Sequence, residues 1–437
     1  MGDACPNDNI LMHPVYRRRL ENAQGRDDYT IQILNYHAIA EAYGSEGVEA
    51  ARSALMSRLA RALGPQGFVS YEGGGRVRIT AGGSSYPEPR KYFESWRLFA
   101  ALVHDIMMEP VETGAGPVHL SADIRPYVSD RPTSAYASNL AAKPLEDLAA
   151  REQVRRRYQC DMTALSPVLA AIGGYNLGPG HVIDVDVLWR PVIRAGGDGA
   201  PAFFEASLGI VSPSGNVTSA PEAIAASERL GLARLIDEYI ANRVADELIE
   251  ARGTVALAVS VSPQSLANTE FWRDLLLRLE GLGGITSKLI VELREDASLA
   301  VARQGIAETL ARLRRGGCRI SIGNFGAGST SFRDALVFGP DIISVDRHFT
   351  SSGLRNRLGN TLTAHLIGMS FELADDVVID GIDTDEIATA SLGLGATLLK
   401  GDWYGRPRIV RPWAPRTDKF EIYGPPSSQN CRAGAIT

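Results

Sequence analysis

From about Asp161 onward the chain alternates β-branched runs with amphipathic stretches, and this alternation constrains the fold more than any other feature. Eight strand candidates follow one another: "VIDVDVLW", "FFEASLGIV", "VALAVSVS", "KLIVELRE", "CRISIGNF", "DIISVDR", "VVIDGID" and "TLLKGDW". Between most of them lie helical patterns. The clearest, "GLARLIDEYIANRVADELI", places Leu232, Leu235, Ile236, Tyr239, Ile240 and Val244 on one face. Eight strands with helical crossovers in roughly 250 residues is the arithmetic of an α/β fold, a (β/α)8 barrel of the TIM type. Only a short turn separates the first two candidates, so one strand of the ring is expected to run antiparallel to the rest.

Barrels collect their chemistry where strands end at the C-terminal face. Read in order, those ends are Glu205, Ser260, Glu292 with Glu295, Gly323 with Asn324, Ser344 with Asp346, Asp380 with Asp383, and Lys400. Acids on separate strands would converge in space, the pattern of a divalent-cation site built from oxygen ligands. The loop in "ISIGNFGAGSTSF", however, carries Gly323 and Asn324 where acids would complete such a site.

The first part of the chain has another layout. Residues 28–160 run strand, helix, strand, helix, strand, with "FVSYEGGGRVRIT" as a hairpin turning at Gly73-Gly74-Gly75. This is the pattern of a small α+β domain. A polar arm over residues 1–27, a barrel domain over 161–415 and a tail over 416–437 complete the expected organisation. At 437 residues, two domains are the natural division. A net charge of −6 argues against a nucleic-acid partner, which wants a basic surface. "WRLFAALVHDIMM" is broken by His104 and Asp105 and is too short for a membrane span. The N-terminus lacks the order of a signal peptide, and cysteines at positions 5, 160, 318 and 431 form neither a disulfide framework nor a metal motif. Together these features lead us to expect a cytoplasmic protein.

At its strand ends the second half resembles the EAL family of cyclic di-GMP phosphodiesterases. "FFEASLGIVSPSGNVTSAPEAIAASERLGL" is similar to the family's opening Glu-Ala-Leu motif, "AVSVSPQSL" to its Asn-x-Ser strand and "VELRE" to its Glu-x-Thr-Glu strand. "GNFGAGSTSF" stands in the place of the Asp-Asp-Phe-Gly-x-Gly loop, and "PDIISVDRHF" in that of Asp-x-x-Lys-x-Asp. "IDGIDTDE" and "LLKGDWYGRP" match the last two segments. The first domain resembles, less closely, the GGDEF diguanylate cyclase domain through "IQILNYHAIAEAYG" and "EGGGRVRI". Gln32, Ala40 and Gly75-Arg76 stand where that family's chemistry requires other residues, so no cyclase activity is expected.

The resemblance implies a barrel whose Asp-Asp pair holds two metals, whose Asn and two Glu residues complete one metal shell, and whose Lys helps position water and phosphate. This chain keeps Glu205, Glu292 and Asp346. It has Ser260 for the Asn, Gly323 and Asn324 for the Asp pair, Ser344 for the Lys, Lys400 for the Gln, and Asp380 and Asp383 for longer glutamates. Losing the bridging pair removes the anionic shell that offsets dehydration and repulsion of two dications. No metal and no cofactor are therefore expected. Ser207 and Gly209 replace the Leu and Arg that the resemblance implies for nucleotide capture, leaving Glu205, Arg190 and Lys400 as groups for an altered pose of cyclic di-GMP.

Three functions stand open on these residues: an inactive regulatory protein working through an unidentified protein partner, a noncatalytic cyclic di-GMP receptor, and a phosphodiesterase with residual activity. Glu205 and Glu292 also have a purely structural role open to them, pairing with Lys400 or with arginines. Asp346 has one as a hydrogen-bonding residue. Family likeness further suggests a homodimer through Ser329 to Phe338.

Overall fold

The computed structural model describes residues 27–63, 67–81, 102–126, 148–175, 183–197, 199–294, 299–327, 330–351 and 357–414. Nearly all of the expected N-terminal arm, the tail, Glu295 and Ser329 lie outside the described residues. Two compact units emerge, Met1–Asp184 with Glu222–Leu235, and Val185–Pro221 with Ile236–Thr437. Helix Leu148–Gly173 runs through Cys160, where the sequence places its boundary between domains. Among the described residues no helix is long and apolar enough to cross a membrane.

The first unit is built on β1 (Asp27–Ile33), β2 (Gly67–Gly73), β3 (Arg76–Ala81), β4 (Val111–Thr113), β5 (Gly116–Val118) and β6 (Ala122–Pro126). Its main sheet has the order β2-β3-β1-β6, while β4 and β5 pair separately. Tyr29, Ile31 and Ile33 alternate along β1 and are all buried, as period 2 requires of one sheet face. Helix Tyr36–Leu63 in turn buries Ile39, Leu55 and Leu59. That helix kinks at Gly44, where φ is 68°.

The run "VHLSADI" is divided between β5 and β6. Asn35 Nδ2 donates to the His119 carbonyl at 2.9 Å, and the Ser121 amide donates to Asn35 Oδ1 at 2.9 Å. A side-chain amide thus takes over backbone pairing at the break. The Gly73-Gly74-Gly75 turn forms as expected, all three residues at positive φ. Gly75 is packed so closely that a Cβ there would lie 2.7 Å from the Tyr36 ring.

The second unit contains β7 (Asp184–Arg194), β8 (Pro201–Val211), β9 (Val217–Ser219), β10 (Leu257–Val261), β11 (Leu289–Leu293), β12 (Arg319–Phe325), β13 (Ile342–Val345), β14 (Asp376–Ile379) and β15 (Leu398–Leu399). Their order is β10-β11-β12-β13-β14-β15-β7-β8-β9, and β10 also pairs with β8, so eight strands close a ring. Neighbours from β8 through β10 to β15 are parallel, whereas β7 runs antiparallel to β15. The barrel and its single reversed strand match the expectation. Inside it, Val192, Phe203, Ala258, Ile290, Ile342, Val378 and Leu398 form one buried layer, each from a different strand.

Candidate functional site

The strand period carries the chain from this apolar layer to the mouth of the barrel. Two residues beyond each layer member stand Glu205 after Phe203, Ser260 after Ala258, Glu292 after Ile290, Ser344 after Ile342, Asp380 after Val378 and Lys400 after Leu398. A step of two keeps a side chain on the same face. On the reversed strand β7 the step runs backward, so Arg190 precedes Val192.

Lys400 organises the centre of this tier. Its Nζ lies 2.8 Å from Glu205 Oε2 and 3.4 Å from Asp380 Oδ2, and its side chain is only 8% exposed. Burial works against the charged ammonium, but the fields of Asp380, Glu205 and Glu292 outweigh it and hold the group well above its ordinary range. The lysine is therefore a fixed cation surrounded by carboxylates from other strands.

Glu292 shows what the missing side chain at position 323 allows. A Cβ built on Gly323 would fall 2.8 Å from Glu292 Oε1 and 2.9 Å from its Cδ. The glutamate carboxyl fills the space beside the glycine, where Ser321 Oγ donates to its Oε2 at 3.1 Å. Burial pushes the Glu292 carboxyl above the usual range, against the pull of Lys400. Glu205 raises it further, while hydrogen bonds from Ser321 and Ser260 lower it.

The other strand-end residues do not join this centre as ligands. Asn324 is exposed in the left-handed region at φ 53°, and its carbonyl accepts from the Ala327 amide at 3.2 Å in the turn after β12. Asp346 Oδ1 accepts from the His348 amide at 2.7 Å, at the start of helix Arg347–Ser351. Asp383 accepts from Arg347 at 3.1 Å and from the Asp402 amide at 3.3 Å. Arg190 pairs with Asp402 at 3.1 Å. Ser344 is buried within β13. Among the described residues no group of three or more His, Cys, Asp or Glu stands in a metal-binding arrangement.

Sequence reasoning missed the support beneath this tier. Asp237 is 1% exposed, and it accepts from the Ser262 amide at 2.8 Å, Ser265 Oγ at 2.6 Å and Arg294 Nη2 at 2.7 Å. Arg294 Nη1 also donates to the Ser260 carbonyl at 2.6 Å, and the Arg294 amide donates to the Val261 carbonyl at 2.8 Å. One carboxylate thereby ties together the ends of β10 and β11, which carry Ser260 and Glu292. The available signal was an acid inside an apolar helical stripe, between Ile236 and Ile240.

The EAL domain family model matches residues 183–407, just over half of the chain. An "Uncharacterized signaling protein" of Caulobacter vibrioides is 27% identical over 224 residues, 51% of this chain and 27% of that protein. The "Cyclic di-GMP phosphodiesterase PdeF" of Escherichia coli is 24% identical over 226 residues, 50% of this chain and 29% of that protein. The chain thus spans less than a third of the length of these two relatives. Among solved structures, "EAL Enzyme Bd1971", described in its cAMP and cyclic-di-GMP bound form, superposes with a TM-score of 0.51 at 14% identity. The match covers 88% of this chain and 93% of that one. At that identity the likeness concerns the fold.

Proposed function

Because the chain belongs to the EAL domain family, we propose that it is a catalytically inactive member that works through protein contact in cyclic di-GMP-related signalling. The observation that carries this reading is the ammonium of Lys400, buried between Glu205 and Asp380. The resemblance calls for metal at this mouth, and the residues present do not fit a metal pair. Gly323 offers no side-chain ligand, Glu292 fills the space beside it, and Asn324 stands exposed. An added dication would meet a resident positive charge rather than a bridging pair of acids.

The groups left for an altered nucleotide pose are also engaged, Lys400 with Glu205 and Asp380, and Arg190 with Asp402. This favours the protein-contact reading over the receptor. Incubating the full chain with cyclic di-GMP and Mg²⁺ or Mn²⁺, with chromatography for the linear dinucleotide, is expected to give no turnover above a Glu205→Ala control. Turnover above that control would restore the phosphodiesterase reading. In calorimetric titration without metal, saturable micromolar binding would put the receptor reading in its place.

The surface that supports a protein contact lies on helix Phe332–Phe338, where Phe332, Leu336 and Val337 are all exposed. An apolar cluster of this kind is the usual raw material of an interface. A second copy of the chain is the occupant we expect here. Light scattering should report a dimer that Leu336→Asp weakens by roughly tenfold or more, since a charge would enter the buried contact. A wild-type chain that stays monomeric at all concentrations would remove this element of the proposal.

A further inference from the structure

We propose that β2 is a docking edge for a second copy of this chain, pairing antiparallel with β2 of that copy about a two-fold axis at Ser70. The inference adds a surface to the protein-contact reading above, separate from helix Phe332–Phe338, and it does not depend on whether the barrel is active. Three observations carry it. Among the described residues β2 pairs on one side only, with β3, so alternate residues between Gly67 and Gly73 direct N–H and C=O groups outward with no strand to receive them. Phe68, at 66% the most exposed large hydrophobic residue described in the first unit, stands on this strand. The strand also lacks the features that keep an edge from pairing.

The other sheet edges show those features. Strand β6 carries Asp123 and ends on Pro126, while β4, β5 and β9 have only three residues each. Strand β2 runs for seven residues without lysine or proline. Its one charge, Glu72, lies at the irregular register between Tyr71 and Gly73, next to the turn. An edge of this length with an exposed aromatic residue is a template for another strand.

The sequence of β2 selects the occupant. Ser70 is the midpoint of Gly67–Gly73, and antiparallel pairing about it sets Val69 of each copy opposite Tyr71 of the other, a favourable β-branched and aromatic pair. Glu72 falls opposite Phe68, so no like charges meet. Val69 and Tyr71 share a sheet face with their partners Ile79 and Val77, which are fully buried, so the pairing would continue an existing apolar layer.

The test uses the full chain carrying Leu336→Asp, which weakens the helix contact. Its mass by light scattering is expected to rise from monomer toward dimer with concentration. Adding Ser70→Lys sets two ammonium groups face to face across the axis and should weaken that dimer by roughly tenfold or more. Under mild oxidation, Leu336→Asp with Ser70→Cys should form a disulfide joining position 70 of two copies, located by peptide mapping, because directly opposite residues lie within disulfide reach. Phe68→Cys in its place should not link to itself, since the two sites would stand roughly 14 Å apart along the strands.

If Ser70→Lys does not fold, the cysteine variants carry the test alone. A Leu336→Asp chain that stays monomeric at every concentration overturns the inference. So does a dimer indifferent to folded Ser70→Lys, or the absence of a link at position 70. Equal dimerisation with and without Leu336→Asp removes the helix contact instead and leaves this one standing, which keeps the two failures distinguishable.

Discussion

Replacing Asp237 by alanine is expected to destabilise the barrel unit by about 3–5 kcal/mol, the cost of breaking a buried ion pair from one side. Asp237 satisfies Ser262, Ser265 and Arg294 at once, so truncation strips acceptors from two donors in the interior and a carboxylate from the guanidinium. Asp237→Asn keeps the shape and one oxygen but not the charge, and it should recover only part of the loss. Trp272 is a convenient reporter, being fully buried with its Nε1 donating to the Ser265 carbonyl at 2.8 Å. Denaturant unfolding followed by tryptophan emission measures the change. A loss below about 1 kcal/mol, the size of an ordinary point substitution, would mean that Asp237 is not the tie between β10 and β11.

The second large effect concerns acid. His119 is fully buried in the first unit, and its Nδ1 lies 3.0 Å from the Met107 carbonyl, a contact that requires a proton on that nitrogen. Burial drives its pKa down from 6.5 to about 4; Arg58 adds to the shift and the hydrogen bond to Met107 opposes it. The native state therefore keeps a neutral imidazole where the unfolded chain already binds a proton. This contribution is fully present above pH 6.5, is lost as pH falls toward 4, and changes no further below that.

The shift corresponds to about 3 kcal/mol at 1.36 kcal/mol per pH unit. His119→Asn can donate to Met107 through its amide yet does not titrate. Urea midpoints measured from neutral pH to about pH 4 should converge for wild type and variant at the acid end, relative to their separation at pH 7. Parallel curves would exclude His119 as a source of acid sensitivity.

The barrel was legible because its information is local. Runs such as "KLIVELRE" and "CRISIGNF" carry the period of a strand, the stretch from Leu232 to Val244 carries that of a helix, and the short turn before "FFEASLGIV" announces the reversed strand. The tier at the mouth was legible for the same reason, since a step of two from a core residue fixes a face. Pairing of Glu205 with Lys400, one of the structural roles left open by the sequence, is realised.

Features set by distant residues were not legible. The break in "VHLSADI" depends on Asn35, 84 residues before His119. The position of the Glu292 carboxyl depends on space beside a glycine on the next strand. The role of Asp237 is invisible along the helix because its three partners arrive from other elements.

The space that Glu292 occupies beside Gly323 also limits how this mouth can be redesigned. An aspartate placed at 323 alone would drive its Cβ into Glu292 and add another acid where Glu205, Glu292 and Asp380 already act on one lysine. Positions 292, 323 and 400 therefore form one design unit, to be exchanged together rather than one at a time.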